Sequence, residues 1–185
     1  MHCRAELRAG ILEGTFTYGQ DAVVNGQLET VARGGLRPPA DRPIKLLANH
    51  DFGKALASNE NPAAFTVDFG ADAVTFRSDV NLWPDSSWAR DTKAMLDAGL
   101  MTGLSPGFFA ARNGMRRSGD KVVVSDAVLA ELSLVEMPAY AGAGVHLRWL
   151  GELPQEQGGL PQPSLLDAAS EPRSCSPNRH IWVYL

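Results

Sequence analysis

The sequence predicts an α+β protein that is mainly β, with one well-defined helix. Phe65, Val67 and Phe69 alternate with polar residues just before Gly70, which is the pattern of a half-buried antiparallel hairpin. The helix is indicated by an apolar pattern through residues 88–96, which follows capping residues and is ended by a glycine. Together these patterns indicate a sheet-based domain with a helix added to it.

The predicted elements follow one another in short segments. Strands are expected at 11–18, 30–32, 44–48, 64–69, 74–80, 101–111, 121–125 and 129–137. Asp85, Ser86 and Ser87 are the N-cap candidates for the helix, and Gly99 takes the position after its end. A turn is expected around Ser118-Gly119-Asp120. Pro138 closes the series, and we place the last strands at an edge of the sheet.

Composition predicts one domain followed by a tail. At 185 residues, with 44% hydrophobic and 21% charged residues, the chain has the balance of an ordinary globular protein. We place the domain at 1–150 and a flexible tail at 151–185, where Pro, Gly, Gln and Ser dominate. The tail ends in the apolar sequence IWVYL, for which a docking peptide and a merely sticky end both stay open.

Charge and hydropathy exclude several classes of protein. The net charge is −4, and the basic residues nearest to a cluster are Arg112, Arg116 and Arg117, so nucleic acid is not expected as a partner. No apolar run reaches the length of a signal peptide or a membrane span, so we expect a cytosolic protein without a membrane partner. Cys3 and Cys175 cannot form a disulfide framework or a four-ligand zinc site by themselves.

Residues 103–107 read Gly-Leu-Ser-Pro-Gly and satisfy the G-x-S-x-G pattern of the nucleophile elbow in α/β-hydrolases. Pro106 follows the serine and has no N–H to serve as the oxyanion donor of an elbow. The histidines that follow, His146 and His180, lie at the end of the domain and in the tail. Because the strand-rich first half also lacks strand-helix alternation, the elbow interpretation is disfavoured.

Other residues are candidates for chemistry, although each also has an ordinary explanation. His50 follows the apolar strand 44–48, where an imidazole can be held rigidly and still reach a cleft, but a loop histidine beside a solvated Asp51 fits the same position. Ser105, between a glycine-leucine pair and a proline, also fits a turn. Glu131 interrupts an apolar strand and, taken alone, reads as a solvated carboxylate on the outer face.

Taken together and in this order, these segments resemble the phage prohead protease family. The matching pieces are Ile-Leu-Glu-Gly at 11–14, the His50-Asp51 pair after its strand, Gly-Leu-Ser-Pro-Gly-Phe at 103–108, and Glu-Leu-Ser-Leu-Val at 131–135 followed by Pro-Ala at 138–139. The resemblance covers about residues 7–147. The strand and loop at 20–41 are less regular than the family pattern, which leaves contacts on the substrate side open.

The resemblance implies a fold similar to herpesvirus assemblins, a largely antiparallel β barrel with surface helices. It implies a serine endopeptidase with a Ser-His pair and a third residue. The implied substrates are the scaffolding segment of the major capsid protein or a separate scaffold, cut inside the procapsid in the host cytoplasm, often with self-cleavage. The implied role is thus virion maturation, while a homo-oligomer is left open.

For the mechanism we expect Ser105 as nucleophile, His50 as base and Glu131 as the residue that orients the imidazole. Strand alternation supports Glu131 over Glu136, because Glu136 shares a face with core leucines, and it predicts a cleft on the outer surface of the barrel. The oxyanion donor is expected to be the Gly107 N–H or Arg112. Neither a metal nor an organic cofactor is required.

Two functions of other classes stay open. The first is a non-catalytic capsid assembly or scaffold protein that keeps the same fold. The presence of Ser, His and Glu together disfavours it. A zinc hydrolase would need ligands from the histidines and cysteines of the chain, no two of which form a close pair of helical spacing. These residues are His2, Cys3, His50, His146, Cys175 and His180.

Overall fold

A computed structural model of the chain describes residues 9–24, 26–140 and 143–150. Within these ranges the chain forms thirteen strands, one α-helix (α1, Ser87–Asp97) and one 3-10 turn (Val80–Leu82). The strands are β1 (Ala9–Thr17), β2 (Asp21–Val24), β3 (Gln27–Val31), β4 (Leu36–Arg37), β5 (Lys45–Ala48), β6 (Asp51–Ser58), β7 (Phe65–Phe69), β8 (Ala73–Asp79), β9 (Gly103–Ala110), β10 (Met115–Ser118), β11 (Lys121–Val124), β12 (Ala127–Val135) and β13 (Ala143–Leu150). The predicted tail at 151–185, including IWVYL, lies outside the described residues.

Nine of these strands form one nearly closed, barrel-like sheet. Its order is β6-β5-β12-β9-β13-β1-β8-β7, and β4 pairs with β12 beside this path. The two end strands, β6 and β7, also contact each other. Most neighbours are antiparallel, whereas β4 and β5 run parallel to β12. The prediction of a mainly β, largely antiparallel barrel is therefore confirmed.

The helix, the β7–β8 hairpin and the turn at Gly119 form where the sequence predicted them. Ser86 is the N-cap of α1, since its side chain accepts a hydrogen bond from the backbone N–H of Ala89, and Gly99 follows the helix with a φ of 67°. β7 and β8 pair across the predicted hairpin turn. β10 and β11 pair across the turn at Gly119, whose φ is 62°. Short-range turn and cap chemistry was therefore readable from the sequence.

The predicted place of the last strands was wrong. β12 lies inside the sheet, between β5 and β9, and was expected at an edge. Almost every residue of β12 is buried, on both of its faces. A strand buried on both faces has a continuous apolar sequence, as AVLAELSLV nearly has, and Pro138 lies beyond its end.

A second, four-stranded sheet has the order β10-β11-β3-β2. It joins the barrel through an isolated bridge between Ala22 and Tyr140 and through the Tyr140 hydroxyl, which donates to Glu29 over 2.5 Å. The sequence predicted β3 and β11 but not β2, β10 or this separate sheet. No helix within the described ranges is long and apolar enough to cross a membrane.

Candidate active site

The registers of β9 and β12 bring four residues to one face of the sheet. Ser105 lies directly opposite Ser133, and Gly107 lies directly opposite Glu131. Residues paired in this way share a face, with Cβ atoms about 5 Å apart. The alternate residues Leu104, Leu132 and Leu134 are fully buried in the core on the other face, as predicted. Ser105 and Glu131 therefore project from the same face of neighbouring strands.

β5 lies on the other side of β12 from β9, and His50 follows it in the chain. β5 runs parallel to β12, and Leu47 is level with Ser133. Just after the strand the N–H of Asn49 donates to the carbonyl of Leu134 over 2.9 Å, which continues the attachment to β12. The chain then turns sharply into β6, which is a strand that the sequence interpretation missed.

The turn between β5 and β6 requires an uncommon backbone conformation. Asn49 and His50 both have positive φ, 52° and 58°, although neither is glycine. A left-handed conformation costs an L-residue roughly 1–2 kcal/mol, least for residues such as Asn. Strain of this kind persists where surrounding contacts hold it and is frequent at functional sites. The turn is therefore a second indication, besides residue chemistry, that His50 is functional.

The side chain of His50 meets Glu131. Its Nδ1 lies 2.6 Å from Oε1 of the carboxylate. The Glu131 side chain is completely buried, while the His50 side chain is 27% exposed. Since an ionised carboxylate can only accept, the imidazole donates from Nδ1, and its Nε2 can accept a proton. One end of the ring is thus anchored and the other can serve a reacting group.

Ser133 completes this arrangement and was not proposed as a site residue from the sequence. Its hydroxyl donates to Glu131 Oε2 over 2.6 Å and accepts from the backbone N–H of His50 over 3.0 Å. Alternation placed Ser133 on the same face as Glu131, but a serine in an apolar strand gives no further signal. Only the turn that brings His50 back over β12 shows what Ser133 contacts.

Glu131 corrects one expectation. The alternation argument placed it correctly, opposite the leucines, but a solvated position on an open outer surface was wrong. Glu131 and Ser133 have no exposed surface at all. The reason is tertiary: His50 and its turn lie against this part of the face, so the carboxylate is desolvated by the residue that it binds.

Gly107 has a packing reason that the sequence did not reveal. A Cβ at this position would lie 2.0 Å from Glu131 Oε1 and 2.8 Å from its Cδ. Real Cβ atoms do not approach other atoms so closely, so only glycine leaves room for the carboxylate in its present place. The proposed oxyanion role of the Gly107 N–H stays a prediction.

Three other candidates lie at or beyond the ends of strands. Glu136 is exposed and lies beyond the end of β12. Arg112 is exposed in the turn after β9, seven residues from Ser105, which is about 20 Å along an extended chain. Asp51 begins β6 and accepts from the Gly53 N–H over 2.9 Å, beside Lys54.

A cleft of about 270 Å³ opens near the cluster. Of its lining residues, Phe109 belongs to β9, the strand that carries Ser105. Lys45 belongs to β5, which pairs with β12, and it is level with Glu131. The Arg42 guanidinium lies 5.3 Å from the centre of the Phe109 ring. The full lining is Arg42, Pro43, Lys45, Phe52, Phe109 and Ala130. Ala130 is the additional residue where the β9–β12 register shifts.

The zinc alternative depends mainly on residues outside the described part of the chain. His2, Cys3, Cys175 and His180 lie outside the described residues, as does the side chain of His146. Within the described part of the chain, no group of three or more His, Cys, Asp or Glu residues is placed to hold a metal ion.

Comparison with known proteins identifies the family pattern over most of the chain. Residues 12–153 match the family model described as caudovirus prohead serine protease. No curated protein and no solved structure matches the chain. The matched range contains Ser105, His50, Glu131 and Ser133, and it confirms the resemblance on which the sequence interpretation relied.

Proposed function

Because the chain belongs to the caudovirus prohead serine protease family, we propose that it is an endopeptidase with Ser105 as nucleophile, His50 as base and Glu131 as the orienting carboxylate. The observation that carries this proposal is the 2.6 Å contact between His50 Nδ1 and Glu131 Oε1, on the sheet face that also carries Ser105. Three residues from three neighbouring strands or strand ends thus occupy the roles of a serine-protease triad.

The proposed reaction has two stages. Ser105 Oγ attacks the carbonyl carbon of the peptide while His50 Nε2 takes the hydroxyl proton, and the imidazolium then gives that proton to the leaving amine. In the second stage His50 takes a proton from water, which attacks the acyl carbon, and the imidazolium returns that proton to Ser105 Oγ as the ester bond breaks and the carboxylic acid product leaves. Glu131 holds the ring in the tautomer whose Nε2 carries no proton and can accept one, and it stabilises the imidazolium.

Rigidity supports this assignment. Ser105 and Glu131 lie within strands that pair along most of their length, and His50 directly follows a strand. Catalytic groups must be held close to their productive geometry, which regular elements do better than loops. Burial of Glu131 also removes competing water from the carboxylate, so its interaction with the ring is stronger than it would be in solvent.

The proposed substrate is an extended segment of a capsid or scaffold protein, cut inside the procapsid in the host cytoplasm, with self-cleavage as an additional reaction. β13 pairs with β9 only at Gly103, so among the described strands the rest of that edge of β9 has no ladder partner. An extended peptide fits beside such an edge, since main-chain hydrogen bonds can hold it while its side chains enter neighbouring pockets. The cleft at Phe109 lies on the same strand, four residues from Ser105.

The proposal is tested with the full-length chain. Purified protein is incubated with a capsid or scaffold substrate, and both the products and the intact mass of the enzyme are followed. Ser105→Ala should stay folded and abolish cleavage, including self-shortening, because the nucleophile is lost. Ser125→Ala, a change of an exposed serine between β11 and β12, is the matched control and should cleave like the wild type.

A serine-directed fluorophosphonate gives a second measurement that needs no substrate. It should label the wild type and Ser125→Ala but not Ser105→Ala. If Ser105→Ala still cleaves and is still labelled, Ser105 is not the nucleophile. If the wild type does neither, the chain is better explained as a non-catalytic capsid assembly or scaffold protein with the same fold.

A further inference from the structure

Ser133 forms hydrogen bonds with both His50 and Glu131, the two residues that we propose to assist Ser105. A serine hydroxyl has one proton to donate and lone pairs to accept with. The proton of Ser133 goes to Glu131 Oε2 at 2.6 Å, and a lone pair receives the His50 backbone N–H at 3.0 Å. One fully buried side chain therefore joins the carboxylate to the backbone of the histidine.

The contact with Glu131 restricts where the carboxylate can point. Oε1 faces the imidazole and Oε2 faces Ser133, so both oxygens have partners and the group cannot rotate without losing one of them. A buried carboxylate that loses a hydrogen bond leaves a charged atom unsatisfied in a region that water does not reach. The Ser133 hydroxyl thus opposes any rotation that would move Oε1 away from His50.

The contact with His50 acts on the strained turn. β12 holds the consecutive left-handed residues at two points, through the Leu134 carbonyl to the Asn49 N–H at 2.9 Å and through Ser133 Oγ to the His50 N–H. The second bond is donated by His50 itself, whose φ of 58° helps to set the direction in which the imidazole leaves the backbone. Loss of that bond would leave His50 without this support for an unfavourable conformation.

We propose that Ser133 is a positioning residue that orients the imidazole of His50 in two ways. It holds the Glu131 carboxylate that contacts the ring, and it holds the backbone N–H of His50. This inference rests on the proposed protease function. The Ser133 hydroxyl is engaged by Glu131 and by the His50 backbone, so it acts through these two residues. Its removal should therefore lower the rate of the chemical step while leaving substrate binding intact.

Ser78 provides a matched control for burial and hydrogen bonding. Its side chain is buried, donates to the Ala64 carbonyl over 2.9 Å and accepts from the Trp83 indole N–H over 2.9 Å. It lies on β8, away from the face that carries Ser105. Ser78→Ala should lower thermal stability about as much as Ser133→Ala does, but it should leave kcat within about twofold of the wild type.

The test measures kcat, KM and thermal melting for Ser133→Ala, Ser133→Cys and Ser78→Ala on one peptide substrate. Ser133→Ala should lower kcat about 10- to 100-fold with KM nearly unchanged, which is the usual size of an effect transmitted through a neighbouring residue. Ser133→Cys keeps the size and a weaker donor, so its kcat should lie between those of the wild type and Ser133→Ala. It also provides a folded variant if Ser133→Ala does not fold.

A double-mutant cycle separates positioning from general stability. If Ser133 acts largely through Glu131, then Ser133→Ala should cost much less in a Glu131→Gln background than in the wild type. Fully additive losses would overturn the part of the inference that runs through Glu131, and a kcat of Ser133→Ala equal to that of Ser78→Ala would overturn the whole. These outcomes leave the proposed function intact as long as Ser105→Ala is inactive; an active Ser105→Ala would instead remove the proposed function itself.

Discussion

Two glutamates on different sheets are buried within the described ranges, and their surroundings differ in one decisive respect. Glu29 on β3 is 4% exposed and accepts a 2.5 Å hydrogen bond from the Tyr140 hydroxyl. Glu131 on β12 is wholly buried and contacts His50 and Ser133. A phenol keeps its proton near neutral pH and can only hold its partner, whereas an imidazole gains and loses a proton in that range. Burial alone therefore does not make a carboxylate a candidate for catalysis; the chemistry of its partner does.

The comparison predicts its largest effect for amide substitutions of the two glutamates. Glu131→Gln should lower turnover by about 10²- to 10⁴-fold, because the amide cannot stabilise an imidazolium. Glu29→Gln should leave turnover almost unchanged and lower the melting temperature. Both rates are measured on one peptide substrate alongside thermal melting, and equal losses of turnover would show that the two sites are not functionally different.

Glu136→Gln sharpens the same comparison, because Glu136 was the competing candidate for the third residue. It is exposed beyond β12, so its amide should be fully active. An inactive but folded Glu136→Gln, together with an active Glu131→Gln, would move the orienting role to Glu136.

Gly107→Ala tests how much space the Glu131 carboxylate requires. The new Cβ would overlap Oε1, so either the carboxylate moves away from His50 or the strands separate. We expect a loss of activity together with a loss of stability of about 1–3 kcal/mol, as for other overpacked cores. Gly144→Ala is the control, since its Cβ would meet its nearest atom at 3.7 Å. Wild-type turnover for Gly107→Ala would show that the present position of Glu131 is not required.

Tyr140→Phe tests the partner of Glu29 and should have a moderate effect. It removes the hydroxyl that donates to the buried carboxylate and should lower the free energy of unfolding by about 1–3 kcal/mol. Activity should persist, because this contact lies between the small sheet and the barrel. Denaturant unfolding gives the free energy, and a loss of turnover without a loss of stability would contradict the assignment of this pair to structure.

The smallest expected effect belongs to the small sheet. The Thr30 hydroxyl and Lys121 hold the pKa of Asp21 below its usual value. The resulting contribution to folding stability is present above the usual pKa of Asp21 and is lost as the pH falls through the lowered pKa. Thr30→Val should therefore be slightly less stable than the wild type near neutral pH, with the difference shrinking in acid. Melting curves from pH 7 to about pH 3 measure it, and a difference that grows in acid would have the wrong sign.

Much of the local structure was predictable because it depends on neighbours in the sequence. The cap at Ser86, the glycine after α1 and the turn at Gly119 follow from short-range sterics and hydrogen bonding. The central place of β12 was not predictable in this way, since whether a strand lies inside a sheet depends on which distant strands pair with it. β6 was missed for another reason: half of its residues are exposed, only Leu56 is buried, and the strand shows no alternation.

The sequence by itself determined the mainly β class, the family and the residues Ser105, His50 and Glu131 as candidates for one site. Alternation along a strand also determined that Glu131 lies opposite the core leucines, because side chains of a strand change faces at every residue. The tertiary structure decided the rest. The register of β12 against β5 and β9, and the left-handed turn at His50, bring residues more than eighty positions apart to 2.6 Å and bury the carboxylate. They also place the carboxylate where only glycine fits at position 107, and they give the Ser133 hydroxyl one partner for its proton and another for a lone pair. These are relations in space that no local pattern records.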